Sequence, residues 1–352
     1  NQLAWCTNWY LRDETLQKAI NALVNYQYHQ PLSKCWGGGI LSSSDGQRFP
    51  VPVRSRTAAA LPRYFGYGRG VTFYSWTSDQ FSQYGSKVIP STVRDATYVL
   101  DAILDNETEL DIVEHVTDTL GYTELIFALF DMLGMQFSPR IRDIGDQTLY
   151  RIKGTKIPLK NIGSLFKGTI NFDLIKRKWD DMLRVVASLK LGWVTASLFI
   201  GKLKSYPQQN DLIKAFNEYG RLIKTIFILR YVSSEEYRRK IGVQLNKGEA
   251  LHDLRQFLIF ANEGKIWKSQ PDDQADQTSC LTLLTNAVII WNTRYIQAIT
   301  EQLDLYEPSF NDEDLKHVSP CRFNHINKYG KYTFNVEEGL NRRGLRPFNE
   351  GA

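Results

Sequence analysis

Ile40-Leu41-Ser42-Ser43-Ser44-Asp45-Gly46 reads as a short strand that ends in a turn. Ile112-Val113-Glu114-His115-Val116-Thr117-Asp118 reads as a second strand that also ends in an acid. Further strand-like runs lie at 49–53, 71–76 and 135–137. Helical spacing appears at 92–104, with Val93, Ala96, Val99, Leu100 and Ile103 on one side, and again at 124–133. Three strands, a helix, a strand, a helix and a strand predict an α/β fold, a mixed sheet with helices on its faces. If the two acid-bearing strands lie side by side, Asp45 and Asp118 meet at one edge although 73 residues separate them.

Outward from this core, residues 13–31 read as a helix that stops before Pro31. The glycine cluster Gly66-Tyr67-Gly68-Arg69-Gly70 has the wrong spacing for a dinucleotide fingerprint, and no helix follows it; it reads as a hairpin turn. From about Pro158 the pattern becomes helical, with segments at 179–189, 193–203, 212–231, 235–243, 246–260 and 279–303. Residues 151–240 hold 19 Lys/Arg against 7 Asp/Glu, while the rest of the chain is net acidic. One strongly basic third fits a polyanion partner, whose phosphates dominate affinity, or a lysine-rich solvated helical surface; charge alone does not choose.

A chain of 352 residues with 43% hydrophobic residues is long enough for one large core or two smaller ones. Its longest uncharged apolar runs fall short of the ~20 residues that span a bilayer. With no basic-then-apolar leader and no initial Met, it reads as soluble and intracellular, and as part of something longer. Cys6, Cys35, Cys280 and Cys321 are widely separated and form no metal-ligand pair, so reduced thiols are expected.

Two carboxylates at one sheet edge repel each other unless a cation sits between them, and oxygen-rich sites suit Mg²⁺ or Mn²⁺. A third acid on a helix packed against that edge would complete a two-metal phosphoryl-transfer site. Glu249, Asp253 and Glu263 are all candidates by position. Glu249, His252, Asp253 and Gln256 share one helical face, which is equally compatible with a solvated surface.

A resemblance narrows this choice. The run Ser42-Ser43-Ser44-Asp45-Gly46-Gln47-Arg48-Phe49 resembles the first catalytic motif of the Tn-three family of transposases. Further matches follow in order. They are Tyr64-Phe65-Gly66 with Gly68-Arg69-Gly70-Val71, then Thr117-Asp118-Thr119 with Gly121-Tyr122-Thr123, then Phe137-Ser138-Pro139-Arg140. After Gly220-Arg221 and Thr225 come Gln244 to His252, including Lys247-Gly248-Glu249, then Trp291-Asn292-Thr293-Arg294-Tyr295 and His325-Ile326-Asn327-Lys328-Tyr329-Gly330.

The resemblance covers nearly the whole chain. It implies a ribonuclease-H-like core carrying the catalytic triad Asp45, Asp118 and Glu249, which would hold two Mg²⁺ or Mn²⁺ ions. It also implies an organisation into a helical lead-in (1–38), the first part of the core (39–157), a helical basic insertion (158–240), a core helix with Glu249 (241–275) and a C-terminal helical extension (276–352). Family members are longer, with an N-terminal region that recognises the terminal inverted repeats.

The implied activity is metal-dependent cleavage at transposon ends, then attack of the freed 3′-hydroxyl on target DNA. Replicative transposition of this kind yields a cointegrate that a separate recombinase resolves. The implied partners are transposon-end and target DNA, with a homo-oligomer forming on DNA in the bacterial cytoplasm at the nucleoid, and no membrane. Arg48, Arg69, Arg140 and Lys247 lie beside the acidic motifs and could meet phosphates or be surface charges. His252, one turn from Glu249, could orient a carboxylate, touch the scissile phosphate or merely pack. The aromatic residues between Tyr64 and Arg69 fit base stacking or core packing. A hydrolysing ribonuclease-H-like nuclease and a non-catalytic DNA-binding remnant are the rival readings.

Overall fold

The two acid-bearing strands lie side by side in the computed structural model, which describes residues 2–155, 163–205, 210–304, 311–333, 335–341 and 345. Strand β1 (Leu41–Pro50) lies between β3 (Arg69–Ser78), antiparallel to it, and β5 (Glu114–Thr117), parallel to it. β2 (Ala59–Ala60) and β4 (Gln83–Pro90) both pair antiparallel with β3, and β6 (Gln136–Phe137) adds in parallel to β5. Half of the sheet is therefore a meander and half is parallel.

Three sequence expectations are corrected here. The runs at 40–45 and 49–53 form one ten-residue strand through Gly46, not two strands divided by a turn. β4 was missed altogether. The helix expected at 92–104 is a 3₁₀ turn at Asp95–Thr97 and a single helical turn at Asp101–Leu104.

Alternation along β1 divides its side chains between the two faces. Ser43 and Gln47 face α6 (Glu235–Leu258): Gln244 Nε2 donates to Ser43 Oγ at 3.1 Å, and Gln47 Nε2 donates to the His252 carbonyl at 2.9 Å. Ser42 and Ser44 face the other way and bridge the buried His115 imidazole, at 2.7 Å to Nδ1 and 2.8 Å to Nε2. Tyr84 donates to Ser42, and Tyr74 shares a hydrogen bond with Ser44. A neutral imidazole has one donor and one acceptor nitrogen, so two hydroxyls satisfy it. Burial pushes His115 down to about 3, which keeps it neutral.

Helices close both faces. On the His115 side, α2 (Glu124–Met132) stacks Phe130 on the imidazole and packs against α5 (Asp211–Ser233) through Phe127 and Phe227. α3 (Phe172–Lys190) packs against α5, and α4 (Ala196–Ser205) follows α3. Residues 158–162 and 206–209 of the expected basic segment lie outside the described residues. The helices read separately at 235–243 and 246–260 are the single helix α6, capped by Ser234. The boundary expected at 240/241 therefore falls inside one helix. The long α7 (Pro271–Asp304) packs on α1 (Asp13–Tyr28), whose buried Leu16, Ile20 and Val24 recur at helical spacing. Among the described residues no helix is long and apolar enough to cross a membrane.

Two predictions follow from this packing. A Cβ at Gly220 in α5 would overlap the carbonyl oxygen of Glu124 at the start of α2. Gly220→Ala gains ~1 kcal/mol of helix propensity, but a backbone cannot yield as a flexible side chain does. A net loss of ~1–3 kcal/mol is expected in urea unfolding. For His115, the folded pKa lies below the ~6.5 of an unfolded histidine, so the unfolded chain takes up the proton first. Stability is therefore lost as pH falls from 6.5 toward 3. Relative to wild type, His115→Gln should remove ~1.4 kcal/mol per pH unit of that acid slope. Urea midpoints at pH 6.5 and 5 check it; equal slopes would exclude a neutral buried imidazole.

Candidate active site

β5 stops pairing with β1 at Ser44↔Thr117, and the next residue on each strand is an aspartate. Asp45 stays within β1, held by β3 alone, while Asp118 leads directly into the 3₁₀ turn Thr119–Gly121. The step where the shorter strand ends opens a cleft of about 210 Å³ lined by both acids. The backbone of Arg140, after β6, donates to the Thr117 carbonyl at 2.8 Å, and Thr119 Oγ1 donates to the Arg140 carbonyl at 3.2 Å. Arg140 is thereby tied beside Asp118 with its side chain exposed.

Asp95 joins the pair, although the sequence reading did not single it out. It sits on the 3₁₀ turn after β4 and lines the same cleft. An acid in the first turn of the helix expected at 92–104 was the one available signal. The cleft walls desolvate the Asp45 carboxyl and push it up to about 7, even though 43% of its side-chain surface stays accessible. The Gly46 N–H, donating to Oδ1 at 2.7 Å, and Arg48 act against that rise, whereas Asp95 and Asp118 reinforce it. Burial raises Asp95 also, with Arg48 opposing and Asp118 adding to the shift. Arg48 is the cation of the cleft. Its guanidinium lies 4.1 Å from the Tyr64 ring centroid, and its buried Nε has no hydrogen-bond partner among the described residues.

α6 crosses this edge. A Cβ at Gly248 would lie 4.0 Å from Ser43 Oγ, and His252 Nδ1 is 3.9 Å from Asp45 Oδ2. Burial, helped by the buried Arg255 charge, pushes His252 down to about 3. It is therefore a neutral neighbour of Asp45, too far for a hydrogen bond, and not an ion-pair partner. Arg255, unremarked in the sequence, is fully buried one turn further on and donates to Ser75 Oγ at 3.0 Å.

The remaining candidates fall elsewhere. Glu249 is exposed on α6 between Gly248 and His252, and it is not among the residues lining the cleft. Among the described residues no three Asp, Glu, His or Cys side chains converge as a metal cluster. Arg69 is exposed at the start of β3, outside the cleft. Lys247 is turned inward: its ammonium donates to the carbonyls of Trp36 at 2.9 Å and Asp79 at 2.6 Å. Burial lowers it to about 8 against the pull of Asp79.

Carboxylate oxygens gathered on one rim, beside an arginine, are the donor types that hard cations and phosphates prefer. Comparison with known proteins agrees with that chemistry. A family described as the Tn3 transposase DDE domain matches residues 1–332. The transposase for transposon Tn1546 of Enterococcus faecium is 43% identical over 98% of this chain and 35% of its own length. The transposase for Tn501 of Pseudomonas aeruginosa is 40% identical over 98% of the chain and 35% of its length. That for transposon gamma-delta of Escherichia coli K12 is 39% identical over 99% and 35%. The chain thus spans about a third of the length of these curated relatives. With the match running through both aspartates and the helix behind them, the chain belongs to the Tn3 transposase DDE domain family.

Proposed function

We propose that this chain is the catalytic portion of a DNA transposase that cuts at transposon ends and joins the freed 3′-hydroxyl to target DNA. The observation that carries this reading is the placement of Asp45 and Asp118 side by side where β5 ends. The sheet order, with an antiparallel meander leading into parallel β1, β5 and β6, supports a ribonuclease-H-like core. The helices between β8 (Gly168–Ile170) and α6 then form its basic insertion. β8 itself pairs only with β7 (Tyr150–Ile152), apart from the main sheet.

Asp45 and Asp118 would bind two Mg²⁺ or Mn²⁺ ions, with Glu249 as the third acid. The donor chemistry fits, since mutual repulsion of Asp45, Asp95 and Asp118 is relieved by divalent charge. Glu249 follows the helix position that packs over Ser43 and precedes His252 by one turn, and its exposure leaves it free to swing toward the rim. Such ions, when bound, stabilise both the attacking and the leaving oxygen of a phosphoryl displacement.

The chain's own residues supply the rest. Arg48, stacked on Tyr64, and the exposed Arg140 would grip phosphates on either side of the cleft. Neutral His252 leaves the charge of Asp45 available to the cations. Asp95 deepens the negative potential. No covalent intermediate is required, so no side-chain nucleophile is needed. The proposed partners are transposon terminal repeats and target DNA, bound by a homo-oligomer at the bacterial nucleoid.

The test supplies pre-nicked transposon-end DNA, target DNA and Mn²⁺. Asp45→Asn, Asp118→Asn and Glu249→Gln are each expected to cut strand-transfer rate by roughly 10²–10³ or more, with DNA affinity within about twofold of wild type. Asp95→Asn should give a smaller loss, about tenfold, since it adds field and not a ligand. A full strand-transfer rate in Asp45→Asn refutes the site. Cleavage without joining by the wild type points instead to a hydrolase.

A further inference from the structure

The C-terminal segment contains an aromatic and basic surface that the proposed chemistry does not use. We propose that Tyr329, backed by Lys328 and Phe260, is a stacking platform for an unpaired base of the DNA strand leading to or from the cleft. The inference rests on the DNA-processing reading above and extends it to the form of the substrate.

Residues 316–335 hold four Lys/Arg and no Asp or Glu. Side-chain and backbone bonds pin the segment into a defined turn: Tyr329 N–H donates to Asn327 Oδ1 at 3.1 Å, and Gly330 N–H to the Asn327 carbonyl at 3.0 Å. Phe323 stacks on Phe257 of α6 with centroids 4.4 Å apart, which docks the turn onto the C-terminal end of that helix. Phe260 meets Tyr329 edge-on at 5.5 Å, and the Lys328 ammonium lies 5.4 Å from the Tyr329 ring centroid. Tyr329 remains 80% exposed and Tyr332 58%.

An exposed aromatic ring held beside a lysine with no ion-pair partner among the described residues suits a nucleobase with its phosphate. The position along α6 matters as much. His252 lies 3.9 Å from Asp45, the last residue of α6, Leu258, is six residues on, ~9 Å along the helix axis, and Phe260 follows just beyond it. That distance matches a few nucleotides of a strand, so a base flanking the cut could reach the ring. A strand released by cleavage has unpaired bases to offer, and stacking is indifferent to their identity.

The experiment compares two probes by fluorescence anisotropy without divalent metal: a blunt duplex, and the same duplex with a four-nucleotide single-stranded 3′ flank carrying 2-aminopurine. Wild type should bind the flanked probe about tenfold more tightly, the ~1.4 kcal/mol equivalent of one stacked base, and quench one 2-aminopurine position. Tyr329→Phe should retain both effects. Tyr329→Ala should lose both while blunt-duplex affinity stays unchanged. The platform is overturned if wild type does not prefer the flanked probe, if Tyr329→Ala behaves like Tyr329→Phe, or if blunt-duplex affinity falls equally. Wild type binding neither probe overturns the DNA reading itself along with the platform.

Discussion

The register between β1 and β5 governs everything at the proposed site. Ser42 faces His115 and Ser44 faces Thr117, so Asp45 and Asp118 arrive together one residue later. A slip of one residue would turn every side chain of β5 to the opposite face. The imidazole guards against that, because one ring is clasped by two serines of the neighbouring strand with two tyrosines behind them. Each hydrogen bond contributes only ~1 kcal/mol net, but leaving a buried donor or acceptor unpaired costs ~1–3 kcal/mol, so the wrong register is penalised several times over. A polar cluster in the core thus specifies where the acids meet.

The opposite face obeys a related logic. α6 lies over β1 through Gln244, Gly248 and His252, and it buries two cations as it does so. Lys247 finds two carbonyls; Arg255 finds Ser75 and, among the described residues, no acid. Buried charge is unfavourable unless bonded. Burial first, and the Arg255 charge second, keep His252 neutral beside Asp45.

Much of this was legible in advance, and the failures have physical causes. The two aspartates could be placed because strand, turn and acid coincide in each run. β1 was cut short because Gly46 reads as a turn; in fact it sits flat in the strand, where a side chain would strike Thr72 across the pair. β4, Gln83–Pro90, escaped because its sequence is polar, contains Gly85 and ends in proline, and its place is set by pairing with β3 and contact with α7. The apolar spacing at 92–104 records burial under the sheet, not a continuous helix. Asp95 was invisible because a lone acid near a helix start is usually solvated. Lys247 looked like a surface charge because nothing local reveals that the carbonyls of Trp36 and Asp79 will surround it.

The separation of the pieces along the chain carries a temporal consequence. β1 is made well before the helix that covers it, which ends at Leu258. At ~5–20 residues per second, a ribosome needs on the order of ten seconds to synthesise the more than 130 residues between Thr117 and that point. Such non-local pairing also folds slowly once complete. A nascent chain therefore carries Asp45 and Asp118 uncovered until that helix has been made, and the proposed site is complete only once it has packed over β1.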